Sequence, residues 1–459
     1  PAISMCVRVR GEVILRRSIG YAHGGGPADG PDARKVKVTP ETPFNIFSAS
    51  KPMAAMVIHL LDQRHLLHLD DPVCEYIGEF CDHGKDLVTI RHVLTHRAGI
   101  PVIPEAALDL SDLEDINNTE AIRLLCDARP TFRAGGRLAY HAVTGGFLIG
   151  EIVRRITGKN IRKVVEEEFC RKLGWRWMNY GVAPRDVDKV ASSYFTGLPL
   201  LPPISTIVRN ILGMDFVDAV EMSNDPRYLT AVLPAANLMA TADELCEFYQ
   251  LLLNGGELRG KRIFDTRTVW RAVSEQSYNE LDFTLGVPLR YGMGFMLGGD
   301  YLSLYGYDSG SAFGHLGLTN VVAWADPERH LSVAIMTSGK PVLYPEMHRG
   351  VALVYKIAAA CPKDGSVLPR PRVEPRPRMA KAKAVRKSKA ARKSKAAPKT
   401  KAAPKRKAAP KRKAKAFGKG AADREMNTSA RAVTDEKAPR RKSAAAKTTK
   451  KGVRKKKAG

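Results

Sequence analysis

The chain has 459 residues, 44% of them hydrophobic, with a formal charge of +27, enough for one large or two ordinary domains. No apolar run reaches the roughly 18–20 residues of a membrane span. Seven scattered cysteines without a Cys-x-x-Cys pair argue against a zinc site or a disulfide framework and lead to an expectation of buried free thiols.

The charge is uneven. Residues 361–459 hold 36 Lys and Arg against 6 Asp and Glu, so the remaining 38 basic and 41 acidic residues make a near-neutral body. The opening PAISMCVRVR has no signal-peptide core. A cytoplasmic, nucleoid-associated location is therefore expected, with a trimmed signal left open because residue 1 is not Met.

In chain order, Val7 and Val9, then Val13 and Leu15, alternate with polar positions as two strands joined at Arg10-Gly11. GGGPADGPDARK is a loop by composition. FNIFSASKPMAAMVIHLL then places Met53, Met56, Val57, Leu60 and Leu61 at helical spacing. Residues 86–180 are mostly helical in pattern, including TIRHVLTH, a helix N-capped by Ser111, and TGGFLIGEIVRRITG ending at Gly158. Residues 195–235 are apolar and Pro-containing without a clear period, an irregular excursion. TADELCEFYQLLLNGG is a helix with Thr241 as N-cap and Glu244 in the capping box. GHLGLTNVVAWADPERHLSVAIMTSG reads as two strands around Asp326-Pro327, followed by a helix near 345–360. Strands at both ends with helices between them predict one α/β (α+β) domain over 1–360, its terminal strands sharing a sheet. Residues 361–459 form a Lys/Ala/Pro-rich tail that cannot bury a core and is expected to be disordered.

Ser48 and Lys51 are three apart on a helix and can touch. Two readings stand. One is a Ser cap followed by a surface lysine; the other is a nucleophile whose proton is taken by a desolvated lysine. Pro52 lacks the N–H that would bond the Ser48 carbonyl, so the helix should begin at Ser48, beside free backbone N–H groups and the positive end of the dipole.

FNIFSASKPMAAMVIHLLDQRHLLHLDDPVCEYI followed by VTIRHVLTHRAGIP resembles the serine β-lactamase-like superfamily of class C β-lactamases, penicillin-binding DD-peptidases and related esterases. The resemblance runs over residues 3–355 and implies a β-lactamase/transpeptidase-like fold: a mainly antiparallel sheet flanked by helices, with a largely helical insert. It implies Ser48 as nucleophile and Lys51 as its partner. The family's Tyr-x-Asn matches Tyr140, with Ala142 where the Asn would be. Its Lys-Thr-Gly corresponds to His315-Leu316-Gly317, the His-x-Gly variant that esterases of the family resemble. Tyr140 would shuttle the Ser48 proton, with Lys51 favouring its phenolate. The N–H groups of Ser48 and Leu318 would hold the oxyanion, with Gly317 admitting close approach and His315 beside them. Both departures remove groups that grip an anionic amide substrate, which points to carboxylic esters. Segment 195–235 is a candidate wall for the acyl pocket. Neither a cofactor nor a metal is implied.

Other motifs carry less. GGELRGKR at 255–262 lacks the Ser/Thr and the strand-to-helix context of a phosphate loop. His92 and His96 stand at i,i+4 without a third metal ligand, so packing is preferred. No Gly-x-Ser-x-Gly exists, which argues against an α/β-hydrolase. The AAPKRK units resemble linker-histone tails and lack interleaved aromatics. They suit sequence-independent binding of DNA, or another polyanion, through residues 380–459. Two further readings are a β-lactamase or DD-peptidase, and a polyanion-binding protein whose hydrolase body has little activity. Oligomeric state is not legible.

Overall fold

The computed structural model describes residues 1–102, 111–301 and 303–364. Nearly all of the basic tail lies outside these residues, as does the expectation that it is disordered. β1 (Ala2–Val9) and β2 (Glu12–His23) form the expected hairpin. Arg10 and Gly11 both take positive φ (54° and 87°), the pairing that a two-residue turn matched to strand twist requires. β3 (Val36–Lys37) follows the loop.

From the C-terminal part come β4 (Ser277–Leu281), β5 (Pro288–Tyr291), β6 (Met296–Leu297), β7 (Phe313–Gly317), β8 (Val321–Asp326) and β9 (Leu331–Thr337). The nine strands form one antiparallel sheet in the order β4-β5-β6-β7-β8-β9-β1-β2-β3. β1 pairs with β9 from Ile3↔Thr337 to Val9↔Leu331, so the two ends of the body meet in mid-sheet, as the sequence predicts. The stretch read as two strands around Asp326-Pro327 holds a third, β7. It turns back through Leu318, whose φ is 40°, between Gly317 and Asn320, a turn signal too slight to divide the apolar run.

The period of two divides the sheet's side chains between two cores. Cys6, Ala323, Ala334 and Met336 face one core, with Cys246 and Phe248; Val7, Trp324 and Val333 face the other, with Val354. The first is covered by α6 (Ala242–Leu253), the second by α7 (Met347–Ala360). Before α6 in the chain come α1 (Lys51–Gln63), α2 (Thr144–Thr157), α3 (Ile204–Leu212), α4 (Phe216–Met222) and α5 (Pro226–Thr230). α1 is buried all round except at Gln63, the pattern of a central helix. α6 has the predicted reciprocal cap between Thr241 and Glu244, and α2 stops at Gly158 with φ 69°.

Three expectations need correction. Segment 195–235 is not irregular throughout: it contains α3, α4 and α5, each under ten residues and set apart by breaks at Pro203, Gly213 and Pro226. Ser111 precedes a single 3₁₀ turn, and the helix beyond it runs Thr119–Asp127 after Asn118. The cysteines are not all free. Cys74 and Cys81 form a disulfide, while Cys6, Cys126, Cys170, Cys246 and Cys361 are buried thiols. Among the described residues no helix is long and apolar enough to cross a membrane.

Candidate active site

A short inner sheet carries the turn that holds Ser48. Phe44–Asn45 pairs with Leu238–Ala240, and the Ile46 N–H donates to the Leu238 carbonyl at 3.0 Å. The chain then makes a 3₁₀ turn over Phe47–Ser50 and enters α1 at Lys51, three residues later than the sequence places it. Phe47 opens that turn in the left-handed region (φ 49°), an uncommon state for a bulky residue. It is held there by its N–H on Asn45 Oδ1 (3.1 Å) and its carbonyl accepting from Ser50 Oγ, which in turn accepts from the Leu238 N–H at 2.9 Å. Ser48 follows, half-buried at the foot of α1.

Lys51 Nζ lies 3.0 Å from Ser48 Oγ, 2.7 Å from the Ala142 carbonyl and 3.2 Å from the Ala235 carbonyl. Burial lowers its ammonium from the ordinary lysine range to about 7. Two carbonyls account for two N–H bonds of a neutral amine, which leaves the lone pair directed at Ser48. The bland alternative of a surface lysine is removed by its burial.

Tyr140 sits in the loop before α2 with Lys51 Nζ 4.8 Å from its ring centre and a hydrogen bond to Ser48. Its phenol is pushed up, by burial first, while the Ser48 contact pulls it down and the Asp282 charge pushes it up again. The expected phenolate is therefore disfavoured: desolvation outweighs the Ser48 hydrogen bond. Asp282 Oδ1 accepts from the Tyr140 N–H at 3.0 Å, and His96 packs on the tyrosine ring with centroids 4.7 Å apart. His141 fixes the same loop, its N–H on His96 Nδ1 (3.2 Å) and its Nε2 accepting from the Ile100 N–H (3.2 Å). Sequence reasoning did not single out Asp282 or His141. Only the adjacency of His141 to Tyr140 hinted at it, and nothing local marks Asp282.

His315 is buried in β7, its ring 6.3 Å from that of Tyr140 and its Nδ1 donating to the Leu316 carbonyl at 2.7 Å. Burial lowers the imidazole to about 3, with the Lys51 charge adding to the effect. It is neutral near pH 7 and does not replace the cation of Lys-Thr-Gly. Gly317 touches the Ser48 turn: a Cβ there would stand 2.1 Å from the Ile46 carbonyl oxygen and 3.2 Å from the Ala49 nitrogen. The strand end can approach Ser48 this closely only as glycine.

Ser48, Leu318 and Ala142 border one cavity of ≈ 240 Å³. Its walls include Phe147 of α2, Ile211 and Leu212 of α3, and Met222 of α4, and among the described residues no Asp, Glu, Lys, Arg or His lines it. Segment 195–235 thus does wall the pocket beside the serine. Of the motifs set aside from the sequence, 257–262 form a two-stranded turn and His92 closes the cap of helix Ile90–Leu94, while His96 belongs to the site as the ring packed on Tyr140. Among the described residues no group of metal-ligating side chains is found.

A family model described as Beta-lactamase matches residues 1–356. The chain is 29% identical over 305 residues to the esterase/beta-lactamase LipL of Mycobacterium tuberculosis, covering 63% of this chain and 68% of that one. It is 26% identical over 377 residues to an N-acetylmuramyl-L-alanine amidase of Bacillus subtilis, covering 76% and 80%. Among solved structures, a penicillin-binding protein homologue from Caulobacter crescentus superposes with a TM-score of 0.66 at 26% identity, over 78% of this chain and 92% of that one.

Proposed function

The chain belongs to the beta-lactamase family and is a hydrolase of that superfamily, and on that footing we propose that it cleaves carboxylic esters through an acyl-enzyme at Ser48. The observation that carries the reading is the desolvated Lys51 amine, 3.0 Å from Ser48 Oγ, at the edge of a pocket with no charged side chain among the described residues that line it. In the proposed sequence, neutral Lys51 takes the Ser48 proton as Oγ attacks the ester carbonyl. The Ser48 and Leu318 N–H groups hold the oxyanion. Tyr140, a neutral phenol hydrogen-bonded to Ser48, gives its proton to the departing alkoxide and recovers one from Lys51. Water then attacks the acyl carbon, and the proton it loses restores Ser48.

Esters are favoured over β-lactams or peptides by what lines the site. Ala142 presents no amide, His315 no cation, and the described lining of the pocket no charge that would hold a carboxylate. The name of LipL covers esterase and β-lactamase, and that of the Bacillus relative an amidase, so substrate class is the point to test. Hydrolysis of p-nitrophenyl butyrate and octanoate should be lost in Ser48→Ala, with little turnover of a chromogenic cephalosporin by either protein. Cephalosporin turnover exceeding ester turnover would favour the β-lactamase reading.

For the tail we propose sequence-independent binding to a polyanion, with DNA first, supported by its 36 basic residues and its single aromatic, Phe417. Affinity of the full chain for duplex DNA should fall steeply with salt and be indifferent to sequence. A shallow salt dependence would count against it, and loss of ester turnover alone would favour a purely binding protein.

A further inference from the structure

α3 is amphipathic, yet none of its nine residues is buried. Ile204, Ile207 and Ile211 are spaced i, i+3, i+7 and share one face. Ile211 ends that face in the wall of the pocket beside Ser48. At the other end Ile207 is 49% exposed, and Leu201, just before the helix, is 71% exposed. On the opposite side Arg209 is occupied by Asp215 at 2.7 Å. An apolar stripe thus runs from the pocket out into water, with its outer half uncovered. Apolar surface continuous with a binding cavity marks an interaction site more often than idle surface.

We propose that α3 and the Leu201 approach to it dock on the surface of an anionic phospholipid membrane, so that an ester dissolved in the bilayer passes along the stripe into the pocket. Two observations favour lipid over a protein partner. The exposed end offers aliphatic side chains, matched in chemistry to the uncharged cavity that the same helix walls. The chain also carries a polycationic tail, the electrostatic attraction that a small apolar stripe needs, since one weak apolar anchor alone gives only marginal, reversible binding. What the surface delivers rests on the ester-hydrolase reading; the docking itself does not.

The test compares the full-length chain with the full-length Ile204→Glu/Ile207→Glu double variant on vesicles of phosphatidylcholine and phosphatidylglycerol. The tail is identical in both, so the difference reports α3. Vesicle binding should fall about tenfold or more in the variant, and hydrolysis of a vesicle-dissolved long-chain ester should fall with it. Turnover of soluble p-nitrophenyl butyrate should stay at the wild-type level, which also shows that the variant is folded. Equal vesicle binding by the two proteins, or none by wild type, overturns the proposal. So does a wild-type dimer that the variant converts to monomer, since the stripe would then be covered by a second copy. Absence of butyrate turnover in both proteins, with vesicle binding still lost in the variant, would overturn the ester reading and leave the docking intact.

Discussion

Lys51 Nζ stands 3.0 Å from Ser48 Oγ and gives its other hydrogen bonds to the Ala142 and Ala235 carbonyls, with no carboxylate among its partners. A buried lysine paired to an acid would stay charged. Here burial alone acts, and the amine reaches about 7.

The pH profile follows from that value. In the proposed mechanism the neutral amine is the active form, so kcat/KM for a soluble ester should rise with pH and level off above about 7. Lys51→Arg holds its charge at all working pH. It should lower kcat/KM by roughly 10²–10⁴-fold with no recovery up to pH 9, measured by initial rates across pH.

Tyr140 touches Ser48 through its hydroxyl, while its ring packs on His96. Tyr140→Phe keeps the packing and removes the proton path. Its kcat should fall roughly 10²-fold or more with KM little changed. A variant defective in KM alone would assign the hydroxyl to binding.

Gly317→Ala sets a methyl 2.1 Å from the Ile46 carbonyl, against backbone that cannot swing aside. The nucleophile turn must shift, so ester turnover should fall at least about 10²-fold, as small displacements of reacting groups do. Thermal unfolding of the variant distinguishes a moved serine from a lost fold.

Ala142 lines the pocket while its carbonyl holds Lys51. Ala142→Asn leaves the carbonyl in place and adds a polar side chain to the cavity. The ratio of octanoate to butyrate turnover should fall, because the amide takes space and desolvates poorly against an aliphatic chain. Competition assays with the two p-nitrophenyl esters measure it.

Lys340 is a second buried lysine near the nucleophile turn, its Nζ 4.9 Å from the Phe47 ring centre and its hydrogen bond on the Thr337 carbonyl. Burial lowers it to about 7. Between about pH 7 and its ordinary value of 10.5 the unfolded chain binds the extra proton, so this residue makes stability rise with pH across that window. Lys340→Met should raise Tm at pH 7 and flatten the slope of stability between pH 7 and 10.

How far the sequence could be read depended on how local each signal was. The cap of α6 is written in Thr241 and Glu244, four residues inclusive, and the β1–β2 turn in Arg10-Gly11. Ser48 and Lys51 meet because three residues of helix bring them together. Asp282 reaches Tyr140 across 142 positions, and Cys74 reaches Cys81 only through the turns between them. α3 escaped notice for another reason. Its apolar face is half cavity wall and half exposed surface, and the breaks at Pro203 and Gly213 leave only nine residues in which its spacing could show. The phenol of Tyr140 ran against expectation because adjacency of a lysine is visible in sequence and the depth of burial is not.

The most direct measurement is intact and peptide mass spectrometry of the protein quenched during turnover of p-nitrophenyl octanoate. The expected result is a transient octanoyl adduct on the peptide containing Ser48, present in wild type and missing in Ser48→Ala. An adduct on another residue, or undiminished ester turnover by Ser48→Ala, would contradict the assignment of Ser48 as the nucleophile.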